Sequence, residues 1–137
     1  MAVQDALARV AGTETNVTGV GTAYSLTNSL AAVTFGTTSP VLSTLPTGTY
    51  LVIAQIGATG CTANDVVQAE LYNTTGSAAF GLAQQVQSAS TGAVTMTIIG
   101  TISFSVPSTL TIWAQNMTGA RGTVVSTLTR LDAFKIA

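Results

Sequence analysis

Apolar and polar residues alternate with a period of two along most of this chain, the pattern of strands whose successive side chains point to opposite faces of a sheet. From Thr49 to Ile56, residues Tyr50, Val52, Ala54 and Ile56 share one face, and Leu51 and Ile53 make the other face apolar as well. A strand apolar on both sides reads as an interior strand. From Val66 to Asn73 the inward set is Val67, Ala69 and Leu71, with Gln68 and Glu70 turned to solvent. From Ala93 to Ser105, residues Val94, Met96, Ile98, Gly100, Ile102 and Phe104 lie on one face, with Thr95, Thr97, Thr101 and Ser103 on the other. Gly100 in mid-strand predicts a bulge or bend. After Pro107, Leu110, Ile112 and Ala114 point inward, while Thr109, Thr111, Trp113 and Gln115 point the other way. The segment Val124 to Ile136 alternates as far as Leu128 and shifts phase around Thr129 and Arg130, which predicts a local irregularity there. Shorter strands are predicted at Thr22 to Leu26, Ala31 to Phe35, Val41 to Leu45 and Ala79 to Gln87.

Clusters of Gly, Asn, Ser and Pro separate these runs: Gly19 to Gly21, Gly36 to Pro40, Pro46 to Gly48, Gly57 to Asn64, Asn73 to Ser77, Ser88 to Gly92 and Thr118 to Gly122. Their residues supply turns. Eight or nine short strands at regular spacing, with no helical period after residue 12, predict an all-β fold, an antiparallel jelly-roll sandwich of about eight strands. A length of 137 residues fits one domain. The reading is a single jelly-roll domain over residues 13–137, preceded by an arm or short helix at residues 1–12 that serves attachment or a trimer contact.

Composition sharpens this. Hydrophobic residues make up 47% of the chain and charged residues 7%, and the mean hydropathy is +0.51, far from the polar, charged composition of disorder. Four basic and five acidic side chains are few to solvate a free domain, so part of the surface is expected to be covered by partners; the alternative is that Thr, Ser, Gln and Asn solvate it. Arg9, Arg121, Arg130 and Lys135 cannot neutralise a run of phosphates, so nucleic-acid binding is not expected. No apolar run is long enough to cross a bilayer as a helix. Asp5 and Arg9 fall where a signal peptide would be apolar, so no signal peptide is expected. The single cysteine, Cys61, excludes an intrachain disulfide and is expected to be packed.

The chain has no histidine, which removes imidazole metal sites and the usual base of nucleophilic catalysis. No metal, cofactor or catalytic residue is therefore predicted. Of the five carboxylates, Asp65 and Glu70 have odd spacing and would point to opposite faces of one strand; a solvated loop and strand face is their expected place, and not a glycosidase pair. Arg121, in the loop Thr118 to Gly122, offers a guanidinium to a carboxylate or stays in solvent. Arg121 and Asp65 are the candidates for ligand-contacting loops. Tyr24, Tyr50, Tyr72 and Trp113 are candidates for stacking on sugars, with packing in a core or between subunits as the default. Asn-x-Thr triplets start at Asn16, Asn73 and Asn116, as a Thr-rich chain produces by chance.

The segments Ala23-Tyr-Ser-Leu-Thr27, Leu45-Pro-Thr-Gly-Thr-Tyr-Leu-Val-Ile-Ala-Gln-Ile56 and Leu128-Thr-Arg-Leu-Asp-Ala-Phe-Lys-Ile136 give the chain a resemblance to C1q/TNF-type trimeric jelly rolls, carried mostly by the Pro-x-Gly-x-Tyr turn into a buried strand. Its short, Thr/Ser/Gly-rich, charge-poor character is similar to the variants in bacteriophage head fibres, capsid decoration proteins and tail knobs. The ending Phe134-Lys-Ile136 departs from the aromatic-Gly close usual in the family.

The resemblance implies a homotrimer in which one face of each two-sided strand fills the core and the other meets neighbouring subunits. Tyr50, Leu51, Ile53 and Trp113 are then the interface candidates. The expected function is a non-enzymatic virion structural protein, a decoration, head-fibre or tail-knob module on the virion surface that stabilises the particle or adheres to a host. Other virion proteins would be met through the N-terminal arm, with a host-surface glycan as a further candidate partner. The alternative is a lectin-like carbohydrate-binding β-sandwich.

Overall fold

The structure, a computed structural model, describes residues 14–18, 23–35, 40–89 and 92–137. In chain order the strands are β1 (Glu14–Thr18), β2 (Tyr24–Ser25), β3 (Ala31–Ala32), β4 (Leu42–Leu45), β5 (Gly48–Cys61), β6 (Val66–Asn73), β7 (Ala78–Gln87), β8 (Gly92–Phe104), β9 (Ser108–Asn116), β10 (Thr123–Val124) and β11 (Arg130–Lys135). A 3₁₀ turn covers Ser126–Leu128, and among the described residues no helix is long and apolar enough to cross a membrane.

These strands form two antiparallel sheets. In the first, β5 is the centre: β8 runs along one edge, and β11, then β10, along the other, with β1 outside β11 and β2 outside β10. In the second, β9 and β6 are central, β7 lies outside β6, and the short β3 and β4 share the far edge of β9. The facing sides interlock in one apolar core. Val52, Ala54 and Ile56 from β5, with Ile98 from β8 and Leu131 and Ala133 from β11, meet Val67, Ala69 and Leu71 from β6 and Leu110, Ile112 and Ala114 from β9, all fully buried. This is the expected all-β antiparallel jelly-roll sandwich, and the inward sets of the long strands are those the alternation predicts.

Four features correct or sharpen the sequence reading. The strand β1 is additional to those expected. The cluster Gly57 to Asn64 is a turn only from Thr62 onward, because β5 continues through Gly57 to Cys61 with a register shift after Ala58. Gly57 serves packing there: a Cβ on it would collide with Leu128 Cβ of the 3₁₀ turn. The phase shift near Thr129 and Arg130 is that turn, which resets side-chain parity before β11. Residues 1–12, read as an arm or short helix, lie outside the described residues.

The fourth feature is Gly100, which is not at a bulge. It pairs with Val52 in unbroken register, and its missing side chain lets the edge of the other sheet approach. A Cβ at Gly100 would sit 3.1 Å from Leu71 Cδ1, 3.2 Å from Gly81 Cα and 3.3 Å from Phe80 Cδ2. Gly81 itself has φ of 72°, open to glycine at little cost. The two edge strands β7 and β8 thus close one side of the sandwich glycine against glycine. Gly100→Val is expected to cost about 2 kcal/mol through overpacking, read as a lower urea midpoint with an unchanged slope, and Gly100→Ala should cost less.

Candidate functional site

The outward face of the first sheet is where an all-β chain with few charges leaves apolar surface. The register aligns Phe134, Leu51 and Thr101 in one row across β11, β5 and β8; Asp132, Ile53 and Ile99 in the next; and Arg130, Gln55 and Thr97 in the third. Leu51, Ile53 and Phe134 are partly exposed, and Ile99 is 58% exposed. Beside it, β7 inserts extra residues between its pairings with Ala69 and Leu71, and the resulting bulge carries Leu82, 77% exposed. Gly81, next to Leu82, packs against the backbone of Ile99 and Gly100, so the strand that carries Leu82 borders the edge of this sheet. Among the described residues an ion pair on this face is local: Arg130 Nε lies 2.9 Å from both Asp132 oxygens.

This geometry divides the interface candidates. Leu51 and Ile53 lie on the exposed face together. Tyr50 does not: it is 2% exposed, its hydroxyl donates to the Pro46 carbonyl at 2.9 Å, and its ring stacks on Phe104 at 5.1 Å. Its expected interface place is corrected because position 50 has the parity of the core set, so the side chain is used up inside its own subunit. Trp113 lies on the outward face of the other sheet, stacked on Tyr72 with ring centroids 4.0 Å apart. Ile99, Phe134 and Leu82 are absent from the sequence candidates. Ile99 had a signal: it is the apolar residue within the solvent phase Thr95, Thr97, Thr101, Ser103.

At the end of the sandwich where β5 finishes, Asp65 and Arg121 are brought together across two loops. Asp65 is fully buried, whereas the Arg121 side chain is 45% exposed. Arg121 Nη2 donates to Asp65 Oδ1 at 2.6 Å, and its Nε lies 3.0 Å from both carboxylate oxygens and 2.9 Å from Thr62 Oγ1. The Thr62 backbone N–H donates to Oδ2 at 2.8 Å. Buried Asn116 donates to the Arg121 carbonyl at 2.9 Å and accepts from Thr118 N–H at 3.0 Å. Backbone bonds from Asn64 N–H to the Ser88 carbonyl and from Ser88 N–H to the Asp65 carbonyl tie in the β7–β8 loop.

The expectation that Asp65 is solvated is therefore corrected. It closes a latch between loops, as a short carboxylate can when a guanidinium and a backbone N–H reach it together. Arg121 first, opposed by burial and assisted by Thr62 and Asn116, holds the Asp65 carboxyl well below the usual carboxylate range. Burial pushes the Cys61 thiol up, Asp65 adds to this, and Arg121 opposes it, so the thiol is not activated as a nucleophile.

Among the described residues, no group of three His, Cys, Asp or Glu side chains is placed to hold a metal. Glu70 stands on the outward face of β6, apart from buried Asp65 in the loop that precedes the strand, and burial raises its pKa.

No family model matches the chain, and no curated protein matches it. Among solved structures it is similar to the globular domain of zebrafish complement 1qA protein, with a TM-score of 0.57 over 91% of this chain and 98% of that one, at 9% identity. At that identity the likeness is one of fold, and it agrees with the jelly roll described above.

Proposed function

We propose that the chain is a non-enzymatic structural module that assembles as a homotrimer through the outward face of its first sheet. The observation that carries this reading is the contiguous apolar patch of Leu51, Ile53, Phe134 and Ile99 on that face, with exposed Leu82 on the neighbouring edge strand of the other sheet. Scattered exposed apolar residues are ordinary on monomers, whereas contiguous ones mark contact surfaces. The corner bearing Leu82 is displaced from the middle of the sheet face, so the two patches are complementary parts of a heterologous contact, which closes into a ring or runs on as a filament. Resemblance to C1q/TNF-type trimers favours a ring of three. Interfaces of obligate oligomers are apolar like a divided core, which accounts for a surface with so few charges.

The particle role follows from the phage-like composition: a decoration, head-fibre or tail-knob module on a virion surface. In this reading residues 1–12 hold the particle. Their continuation, β1, begins opposite Phe134, at the end of the sandwich away from the Asp65 and Arg121 loops, so that attachment and presentation use opposite ends. Light scattering on the purified chain is expected to give three times the 13.8 kDa chain mass. Deleting residues 1–12 should preserve that mass and abolish binding to particles. A monomeric full-length chain would remove the reading, and a trimer lost with the arm would reassign the arm to assembly.

A further inference from the structure

The outward face of the second sheet differs in chemistry from the face proposed for assembly. Its middle rows set Ala32, Trp113 and Glu70 side by side, then Thr111, Tyr72 and Ala79. The next row is Gln115, Gln68 and Gln85. Trp113 and Tyr72 are partly exposed and stacked on each other, with the small Ala32 and Ala79 beside them in their rows. Gln68 Oε1 accepts from Gln85 Nε2 at 3.1 Å and from Gln115 Nε2 at 3.3 Å. That arrangement fixes the three amides and leaves the Gln85 and Gln115 carbonyl oxygens and the Gln68 NH₂ uncommitted. Beneath the aromatic pair, Thr111 is 2% exposed, and its Oγ1, like Trp113 Nε1, is buried without a hydrogen-bond partner.

We propose that this face is a binding site for neutral saccharides, with the stacked Tyr72 and Trp113 pair packing against a sugar ring and Glu70 and the Gln68, Gln85 and Gln115 amides binding its hydroxyls. A pyranose has an apolar C–H face and a rim of hydroxyls that both donate and accept, and this row of rings, amides and one carboxylate matches it. An apolar peptide would leave the amides and the carboxylate unpaired, at a cost. An anionic ligand finds a carboxylate and no cation in these rows. Stacking holds both rings in place before binding, which lowers the ordering cost. The site lies on the opposite sheet from the proposed subunit contact, so it stands or falls independently of the trimer.

Trp113 is the only tryptophan in the chain, so its emission reports on the site. The full-length protein would be titrated with cellohexaose, chitotriose and lactose, followed by fluorescence and calorimetry. Saturable binding of at least one of them, one site per chain with a shifted Trp113 emission, is the expected result. Glu70→Gln and Tyr72→Ala should each weaken it about tenfold, equivalent to about 1.4 kcal/mol, and Tyr72→Phe, which keeps the stack, should retain it. Absence of saturable binding by all three sugars would overturn the proposal. So would binding that survives both Glu70→Gln and Tyr72→Ala, or binding seen only with a sialylated lactose.

Discussion

Ile99→Asp is expected to reduce the solution mass to that of a single 13.8 kDa chain while the protein still melts cooperatively. In the isolated chain the substitution is mild. Ile99 is 58% exposed on an edge strand, its side chain takes no part in the core, and a carboxylate there stays hydrated. In the proposed trimer the same position is covered by a neighbour. The carboxylate would then lose water without gaining a cation, since Arg130, the nearby guanidinium on this face, is already paired with Asp132. An unpaired buried charge costs about 3 kcal/mol. Threefold symmetry repeats that at every contact, for about 9 kcal/mol per trimer, more than six orders of magnitude in the dissociation constant. Light scattering and a thermal melt on the same sample separate the outcomes. A folded monomer supports the interface, whereas an unchanged mass would place it elsewhere.

That prediction rests on a face the sequence showed only in part. Alternation separated Tyr50, Val52, Ala54 and Ile56 from Leu51 and Ile53 correctly, but both sets are apolar, so periodicity alone could not say which one faced the core. The other sheet decided it: Val67, Leu71 and Ile112 needed a partner surface, and β5 supplies it from the side of Tyr50. Gly57 and Gly100 show the same limit from another direction. Each reads locally as turn or bulge chemistry, yet each is small because something distant in sequence crosses it, Leu128 in one case and Gly81 in the other. The irregularity before β11 was legible because a change of parity is a local signal. The pairing of Asp65 with Arg121 was not, since the two lie 56 residues apart and only the folded loops bring them together.

The same latch carries the second large effect. Arg121→Ala is expected to be among the most destabilising changes outside the apolar core, because it leaves the fully buried Asp65 carboxylate with Thr62 and Asn116 but no cation, and burial then becomes the leading influence on its ionisation. The pH dependence identifies the cause. In the native protein the Asp65 pKa is depressed relative to the unfolded chain, so its ionised form contributes stability above the unfolded carboxylate pKa of about 4, and that contribution is lost as pH falls toward the folded value. Without Arg121 the folded pKa moves upward, the carboxyl takes up its proton earlier on acidification, and protonation relieves the buried charge. The stability gap between the two proteins should therefore be widest at neutral pH and narrow as pH falls through the carboxylate range. In Asp65→Asn, which has no carboxyl to titrate at that position, the acid loss due to this group should vanish. Denaturant midpoints measured from pH 7 to pH 3 test this directly. A gap that stays constant with pH would mean that Arg121 stabilises the loops by packing and not by holding the charge of Asp65.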